Sequence, residues 1–217
     1  MSRELHTEEG SSEAEQFWER HYRAHERLWS GRPNPVLVDV AEPLTAGTAL
    51  DLGCGEGGDA IWLSRLGWRV TAVDVSATAL ERAATHAATV GVETGIDFQQ
   101  HDLAHTFPNG AFDLVSAQYL QSPVDLPRDR VLRAAAGAVA PAGLMLIVDH
   151  GSAPPWAGNP HAHTRFPTPG EVLTALELDP GRWRTELLGS PERQAIGPHG
   201  QCATVTDSVV AVRRVAD

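Results

Sequence analysis

The sequence predicts an α/β fold: a doubly wound sheet, mostly parallel, with an antiparallel C-terminal strand and helices on both faces. A short apolar run at Thr48–Leu52 leads into a turn with four glycines in six residues, Gly53–Gly58, which we call the glycine turn. Strand and helix patterns alternate from there to about residue 149, as in parallel sheets whose strands are joined by helices. Two further strand patterns near the C-terminus have no helix between them, and such strands pair antiparallel.

Upstream of the glycine turn the sequence predicts a helical lid. Residues 1–12 are charged and rich in small side chains, and we expect them to be a disordered tail. Glu13–Leu28 carries aromatic residues among charges, which is typical of an amphipathic helix, and a short helix is predicted at Val36–Ala41. We predict a lid over residues 13–40 within a single domain over residues 13–217, because this length holds one α/β core and not two.

Downstream of the glycine turn, periodicity and capping signals place the remaining elements. Ser76 is a good N-cap, and Gly91 lies where the helix after it should end. Thr168 with Glu171 three residues later is the signature of a capping box. Strands are predicted at Arg69–Val75, Ile96–Gln100, Phe112–Ala117, Leu144–Asp149, Arg182–Leu188 and Ala203–Arg213. Helices are predicted at Ala60–Leu66, Ala77–Thr89, Arg128–Val139 and Thr168–Leu178, and long loops at residues 151–167 and 190–201.

The glycine turn predicts a nucleotide-type ligand, and it fits two templates. It contains G-x-G-x-G and, overlapping it, the dinucleotide fingerprint G-x-G-x-x-G, with Asp74 at the spacing expected of the acidic residue of that fingerprint. The charges favour a cation without phosphates, because Glu56 and Asp59 would repel a pyrophosphate at the helix N-terminus. S-Adenosylmethionine, a sulfonium, is such a ligand. Glu56 itself is interpreted as a solvated acid at the start of the helix.

Composition excludes several classes of function. The net charge of −11 argues against nucleic acid as a partner, because phosphate contacts need clustered basic residues. All 17 basic residues are arginine, which excludes a lysine base or Schiff base. Two distant cysteines give no disulfide framework. No apolar run is long enough for a membrane span and the N-terminus does not resemble a signal peptide, so we predict a cytoplasmic protein with no membrane contact.

Three motifs together resemble a known family. Asp51-Leu-Gly-Cys-Gly-Glu-Gly, Val73-Asp74-Val75-Ser76 and His101-Asp102-Leu103 are similar, in this order, to the motifs of class I, Rossmann-like S-adenosylmethionine-dependent methyltransferases. The match covers roughly residues 50–149. The aromatic N-terminal segment with Trp-x-Gly-x-Pro-x-Pro is similar to the lid of small thiopurine-type, thiol and tellurite-resistance methyltransferases.

The resemblance and the strand ends predict the cofactor-binding residues. Ligands of open α/β sheets sit at the carboxyl ends of the strands, where Asp51, Asp74 and Asp102 are expected. Asp74 would accept the ribose hydroxyls and Asp102 the adenine amine, with a plain turn aspartate as the alternative for Asp102. The full predicted set is Trp29, Asp51, Gly53, Gly55, Asp74, Val75, Asp102, Leu103 and Gln118. For Trp29, ordinary packing beneath the lid fits the sequence equally well.

Catalytic and substrate contacts are predicted after the fourth and fifth strands. Tyr119 is expected to line the channel between donor and acceptor, and His150 is a candidate general base. A loop histidine bonded to backbone is the alternative for His150. Substrate contacts are expected from the two long loops, at Arg165, Arg193 and His199. His161-x-His163 lacks a third ligand, so no metal site is predicted.

These observations predict an enzyme that transfers a methyl group from S-adenosylmethionine to a small molecule, leaving S-adenosylhomocysteine. A soft nucleophile such as a thiol or chalcogen would need no strong base. DNA amine methylation is disfavoured, because Ala117-Gln118-Tyr119-Leu120 departs from the Asn/Asp-Pro-Pro-Tyr/Phe motif of adenine methyltransferases. The alternatives are a nicotinamide-dependent oxidoreductase and a non-catalytic S-adenosylmethionine-binding protein. The oligomeric state is not predicted.

Overall fold

The fold is taken from a computed structural model that describes residues 11–157, 166–197 and 199–216. Eight strands form the sheet: β1 Thr48–Leu52, β2 Arg69–Asp74, β3 Ile96–Gln100, β4 Phe112–Gln118, β5 Val139–His150, β6 Trp183–Gly189, β7 Glu192–Ile196 and β8 Cys202–Arg214. The helices are α1 Glu13–Arg23, α2 Pro35–Ala41, α3 Gly58–Arg65, α4 Ala77–Thr89, α5 Arg128–Gly137 and α6 Pro169–Ala175.

The strand order confirms the predicted fold class. The sheet runs β3-β2-β1-β4-β5-β8-β6, with β7 paired to β8. Strands β1 to β5 are parallel, and β8 runs antiparallel to β5 and to β6. The order reverses between β1 and β4, and such a reversal opens a crevice at the carboxyl ends of the strands.

The core lies on both faces of the sheet because successive strand residues point to opposite sides. In β5, Met145 and Ile147 pack in one cluster with residues of α5 and α6. Their neighbours Leu144 and Leu146 pack in a second cluster with residues of α2, α3 and α4. All four side chains are almost fully buried. The two clusters hold β1 and β4 rigidly at the centre, and these strands carry the residues at the crevice.

Local signals in the sequence account for most helix starts. The Ser76 side chain accepts from the Ala79 N–H at the start of α4. Thr168 and Glu171 form both hydrogen bonds of the predicted capping box at α6. Ser12 caps α1 by accepting from the Glu15 N–H. The disordered tail predicted over residues 1–12 falls mostly on residues 1–10, which lie outside the described residues.

Several boundaries differ from the sequence prediction. The helix predicted to reach Val139 ends at Gly137, and β5 begins at Val139 and not at Leu144. Helix α1 ends at Arg23 and not at Leu28, because the Leu28 N–H donates to a side chain elsewhere in the fold. The segment predicted as a loop over residues 190–201 contains β7, which pairs with the first part of β8. Its partner residues, Cys202–Thr206, lead into the apolar part of β8, whereas β7 itself has no strong apolar pattern, so β7 forms by pairing with β8.

Candidate active site

A cavity of about 760 Å³ lies at the carboxyl ends of β1 to β4, where the strand order reverses. Its two ends are built from different elements. One end is formed by the glycine turn and by Asp51, Asp59, Asp74 and Asp102, and we call it the acidic end. The other end is formed by Trp18, residues 118–122 and residues 193–196, and we call it the arginine end.

The glycine turn brings the backbone close to the cavity and to the lid. Gly53, Gly55 and Gly57 all have φ between 53° and 85°, a region that disfavours side chains. A Cβ added to Gly55 would lie 3.0 Å from the Tyr22 hydroxyl and 3.1 Å from Trp29 Nε1. The lid therefore rests directly on this turn, and a larger residue at position 55 would push it away.

Asp74 closes β2, lines the cavity and also shapes the glycine turn. Its Oδ2 accepts from the Gly55 N–H at 2.9 Å, and its Oδ1 accepts from the Ser76 N–H at 3.0 Å. Burial raises the pKa of Asp74, although the hydrogen bonds from Ser76 and Gly55 oppose the shift. Each carboxylate oxygen has a second lone pair for a ligand hydroxyl.

Asp51 and Asp59 place unbalanced negative charge beside the glycine turn. Asp51 is 2% exposed, and its Oδ2 has no hydrogen-bond partner among the described residues. Burial, with the nearby charges of Asp59 and Asp74, raises the pKa of Asp51 well above its usual value. Burial also raises the pKa of Asp59 to about 6, although that carboxylate accepts from the Asn34 N–H at 2.6 Å. A buried carboxylate oxygen without a donor suits a cationic group, which would supply both charge and hydrogen bond.

Asp102 and Leu103 line the cavity beyond β3, as predicted. The Asp102 carboxylate accepts from the Ala104 N–H at 3.0 Å and lies 2.9 Å from His105 Nδ1. Burial opposes ionisation of Asp102, but hydrogen bonds from Ser12, Ala104 and His105 bring its pKa below the usual value. Asp102 is thus an ionised acceptor at the cavity wall, while it also satisfies the N–H groups of its own turn.

Glu56 corrects an interpretation made from the sequence. It is 3% exposed, so it is not a solvated helix-start acid. Its carboxylate pairs with Arg82 Nη1 at 2.9 Å and accepts from the Leu28 and Trp29 N–H groups at 3.2 and 3.1 Å. Arg82 Nη2 also donates to the Tyr22 carbonyl at 3.1 Å. Glu56 and Arg82 therefore anchor the lid to the glycine turn.

The lid contributes aromatic side chains to the cavity wall. Trp29 lines the cavity at 52% exposure, and its Nε1 donates to the Tyr22 hydroxyl at 3.1 Å. Trp18 Nε1 donates to Ser122 Oγ at 3.1 Å and joins the lid to the loop after β4. Sequence reasoning missed Trp18, Tyr22 and Ser122. The amphipathic pattern of α1 was a signal that this helix packs, but it did not show which residues face the cavity.

The arginine end is organised around Tyr119 and Arg193. Arg193 Nε donates to Asp207 Oδ2 at 2.8 Å, and its guanidinium carbon lies 5.8 Å from the centre of the Tyr119 ring. Asp207 is 1% exposed. Tyr119 has φ of 51°, an uncommon conformation for a bulky residue. Burial and the charge of Asp207 raise the pKa of Tyr119 to about 12.

The structure gathers most of the predicted site residues into this cavity. All nine predicted cofactor-binding residues line it, as do Tyr119 and Arg193. His150 is not among the residues that line it; its ring stacks on Tyr119 with centroids 4.2 Å apart. His199 also lies outside the lining; its N–H donates to Gln201 Oε1. Arg165 lies outside the described residues.

No metal site is predicted at His161-x-His163, and both histidines lie outside the described residues. Across residues 11–157, 166–197 and 199–216, no group of three metal-ligating side chains is present. Within the same ranges, no helix has the length and apolar character needed to cross a bilayer.

The sequence profile of a family described as "Methyltransferase domain" matches residues 49–143. This range runs from β1 into the first part of β5 and includes the glycine turn and all four acids of the acidic end. It covers less than half of the chain, which in this region resembles a methyltransferase domain. The resemblance favours S-adenosylmethionine over the dinucleotide, a choice that the glycine pattern alone left open.

Relatives with assigned names match the methyltransferase domain and its surroundings. The chain is 31% identical over 140 residues to the 2-heptyl-1-hydroxyquinolin-4(1H)-one methyltransferase of Mycobacteroides abscessus, which covers 61% of each chain. It is 32% identical over 101 residues to the probable thiol methyltransferase 2 of Arabidopsis thaliana, which covers 45% of each chain. The chain therefore spans about half the length of these relatives.

A solved structure matches nearly the whole chain. It is described as "Conversion of a Disulfide Bond into a Thioacetal Group during Echinomycin Biosynthesis" and superimposes with a TM-score of 0.71 at 26% identity. The superposition covers 92% of both chains, so the likeness includes the lid and the C-terminal strands.

Proposed function

We propose that this protein transfers a methyl group from S-adenosylmethionine to a small-molecule acceptor. The observation that carries the proposal is the buried Asp51 Oδ2, which has no partner among the described residues and lies in the wall of the cavity beside the glycine turn. A cationic ligand such as S-adenosylmethionine would supply the hydrogen-bond donor that this oxygen lacks. A pyrophosphate would instead meet four acids at the acidic end.

Different residues of the cavity wall would bind different parts of the cofactor. Asp51 would accept from the amino group of the cofactor, Asp74 from its ribose hydroxyls, and Asp102 with the Leu103 N–H would contact the adenine. When bound, S-adenosylmethionine supplies an electrophilic methyl group on a positively charged sulfur. Trp29 and Tyr22 in the lid would exclude water, and Gln118 would lie between donor and acceptor. Alignment and exclusion of water are the main demands of such a displacement.

We propose that the acceptor is a soft nucleophile such as a thiol or a chalcogen. Similarity to a probable thiol methyltransferase, and to a structure described for the conversion of a disulfide bond into a thioacetal group, supports sulfur chemistry. The hydroxyquinolinone methyltransferase supports an acidic oxygen as the second candidate acceptor. A nucleic acid is disfavoured by the net charge of −11.

We also propose that the protein works in the cytoplasm. Cys54 and Cys202 are free thiols in the structure. Unpaired cysteines fit a reducing compartment.

Titration calorimetry and a transfer assay test the proposal. S-Adenosylhomocysteine should bind with a dissociation constant on the order of micromolar, about −8 kcal/mol, while NAD gives no measurable heat. Incubation with methyl-labelled S-adenosylmethionine and a panel of thiols, selenite, tellurite, phenols and amines should label at least one thiol or chalcogen. Binding of NAD alone would support the oxidoreductase instead, and cofactor binding without any transfer would support a non-catalytic binding protein.

A further inference from the structure

The two ends of the cavity differ in charge, and this difference bears on the molecule that enters the arginine end. The acidic end carries Asp51, Asp59, Asp74 and Asp102. At the arginine end, Arg193 is the one charged side chain among the described residues that line it. The remaining lining there is aromatic, aliphatic or carries uncharged amides and hydroxyls. An acceptor in this place therefore meets a cation in otherwise uncharged surroundings.

Arg193 is held in place before any ligand arrives. The ion pair of its Nε with buried Asp207 fixes one edge of the guanidinium at 2.8 Å. The face of the guanidinium lies near the Tyr119 ring, a favourable position for a cation. A guanidinium has five N–H donors, and Asp207 occupies the Nε donor. The Tyr119 hydroxyl also bonds to this guanidinium, and the Nη donors that remain form a preorganised site for a further hydrogen-bond acceptor.

The described lining of the arginine end has no side chain suited to remove a proton at neutral pH. Burial keeps Tyr119 protonated, since its pKa is raised to about 12. His150 stacks on Tyr119 and is not part of the lining. The other polar side chains there belong to glutamines and to Ser122, which are not bases. With no base among the described residues of this lining, this end suits a nucleophile that arrives without its proton or loses it to solvent.

We propose that the acceptor binds as an anion, a small and mainly apolar thiolate or acidic phenolate, with its charge held by Arg193. The inference rests on the proposed methyl transfer and specifies its substrate class. In the transfer, a lone pair of the acceptor forms the new bond to the methyl carbon. The bond from that carbon to the donor sulfur breaks, and its electron pair stays on the sulfur. The anion and the sulfonium both become neutral, and no proton moves.

Such a reaction gains from the low polarity of the site. Two opposite charges disappear together, so a site that excludes water does not have to stabilise new charge in the transition state. Arg193 also lowers the pKa of an acidic acceptor beside it, because a nearby cation favours the ionised form. The site therefore binds the ionised form of the acceptor in preference to the neutral form.

Binding of matched probes tests the charge preference without any turnover. The full-length protein, saturated with S-adenosylhomocysteine, is titrated with benzoate and with benzamide, which have the same shape and differ in charge. We expect benzoate to bind about tenfold more tightly than benzamide, as charge-assisted hydrogen bonds to arginine are stronger than neutral ones. Equal affinities, or a preference for the cation benzamidine, would overturn the proposal.

Substitutions at Arg193 test whether this residue causes the preference for benzoate over benzamide. Arg193→Gln should remove the preference for benzoate, and Arg193→Lys should retain part of it. Because Arg193→Gln leaves Asp207 buried without its partner, the double variant Arg193→Gln/Asp207→Asn tests the same point in a neutral pair. Arg184→Gln, on an exposed part of β6, removes the same charge as a control and should keep the wild-type preference. Retention of the preference in both Arg193→Gln variants would exclude Arg193 as the binding group.

The pH dependence of methylation separates this inference from the proposed function. With a series of thiophenols of different acidity, kcat/KM should rise with pH only up to the pKa of each free thiol, because kcat/KM reports ionisations of the free enzyme and free substrate. A rise at one fixed pKa for the whole series would point to a base on the enzyme and contradict the inference. No methylation of any acceptor, with benzoate still preferred through Arg193, would refute the proposed function while the anion site stands.

Discussion

The acidic end and the arginine end of the cavity are built in different ways. Asp51 lies near the end of β1, Asp74 ends β2 and Asp102 follows β3, so one continuous segment of chain supplies these acids. The arginine end combines α1, the loop after β4 and β7, which are widely separated in the sequence. Donor recognition is therefore encoded locally, whereas acceptor recognition depends on how distant segments pack.

Among the changes that distinguish the two ends, Asp74→Ala is expected to have the largest effect, which is a loss of cofactor affinity. Loss of charged hydrogen bonds to the cofactor should cost about 2 kcal/mol, which is roughly a 30-fold weaker affinity for S-adenosylhomocysteine. Calorimetry with Asp74→Asn as the matched control measures it, since asparagine keeps one acceptor for the Gly55 or Ser76 N–H. Unchanged affinity in Asp74→Ala would remove this carboxylate from the cofactor site.

The Asp74→Ala variant should also unfold more easily, because the buried N–H groups of Gly55 and Ser76 lose their acceptors. Thermal unfolding is therefore measured beside the titration. Comparison at a temperature where both variants are folded keeps the binding result independent of stability.

A tenfold effect of pH is expected at the acidic end. The pKa of Asp59 is about 6, so this carboxyl is mostly protonated at pH 5, and a cationic ligand favours its ionised form. Affinity for S-adenosylmethionine should therefore fall about tenfold between pH 7 and pH 5, one unit below that pKa. Titrations in matched buffers measure the slope, and Asp59→Asn should flatten it. A flat profile in the wild type would contradict the assignment.

The same raised pKa predicts the opposite trend for stability without cofactor. The folded state holds the Asp59 proton more tightly than the unfolded state does. The stabilisation from Asp59 is therefore complete below the unfolded pKa of about 4 and is lost as pH rises through about 6. Denaturant unfolding at several pH values shows whether the two trends diverge.

The smallest expected effect is that of Tyr119→Phe at the arginine end. The variant loses the hydroxyl that interacts with Asp207 and Arg193, an effect of about 1 kcal/mol or roughly fivefold in kcat/KM. If Tyr119 were the general base, the loss would be on the order of 100-fold or more. Steady-state kinetics with the best acceptor from the transfer assay distinguish the two outcomes.

The contrast between the ends also explains what the sequence could predict. The strand ends, the glycine turn and the capping box are short-range patterns, and the cofactor-binding residues predicted from the first two line the cavity. Strand β7 and the pairing of Arg193 with Asp207 depend on long-range register, which leaves no local pattern. The sequence predicts His150 just past the fifth strand, whereas it is the last residue of β5 and its ring stacks on Tyr119.

Glu56 shows how a correct conclusion can rest partly on a wrong reason. Its charge was one of two arguments against a pyrophosphate, yet Arg82 neutralises it and the lid covers it. The argument for a cationic ligand is carried instead by Asp51 and Asp59, whose charges have no such cation beside them among the described residues. The sequence shows that residue 56 is acidic, but it does not show that an arginine 26 positions later forms an ion pair with it.

The attachment of the lid to Glu56 has a consequence for how this chain can change. Glu56 holds main-chain N–H groups of Leu28 and Trp29, which every amino acid except proline provides. The side chain of Trp29, which lines the cavity, can therefore be exchanged while these main-chain contacts persist. The lid can thus change the side chain that it presents to the cavity without losing its attachment to the glycine turn.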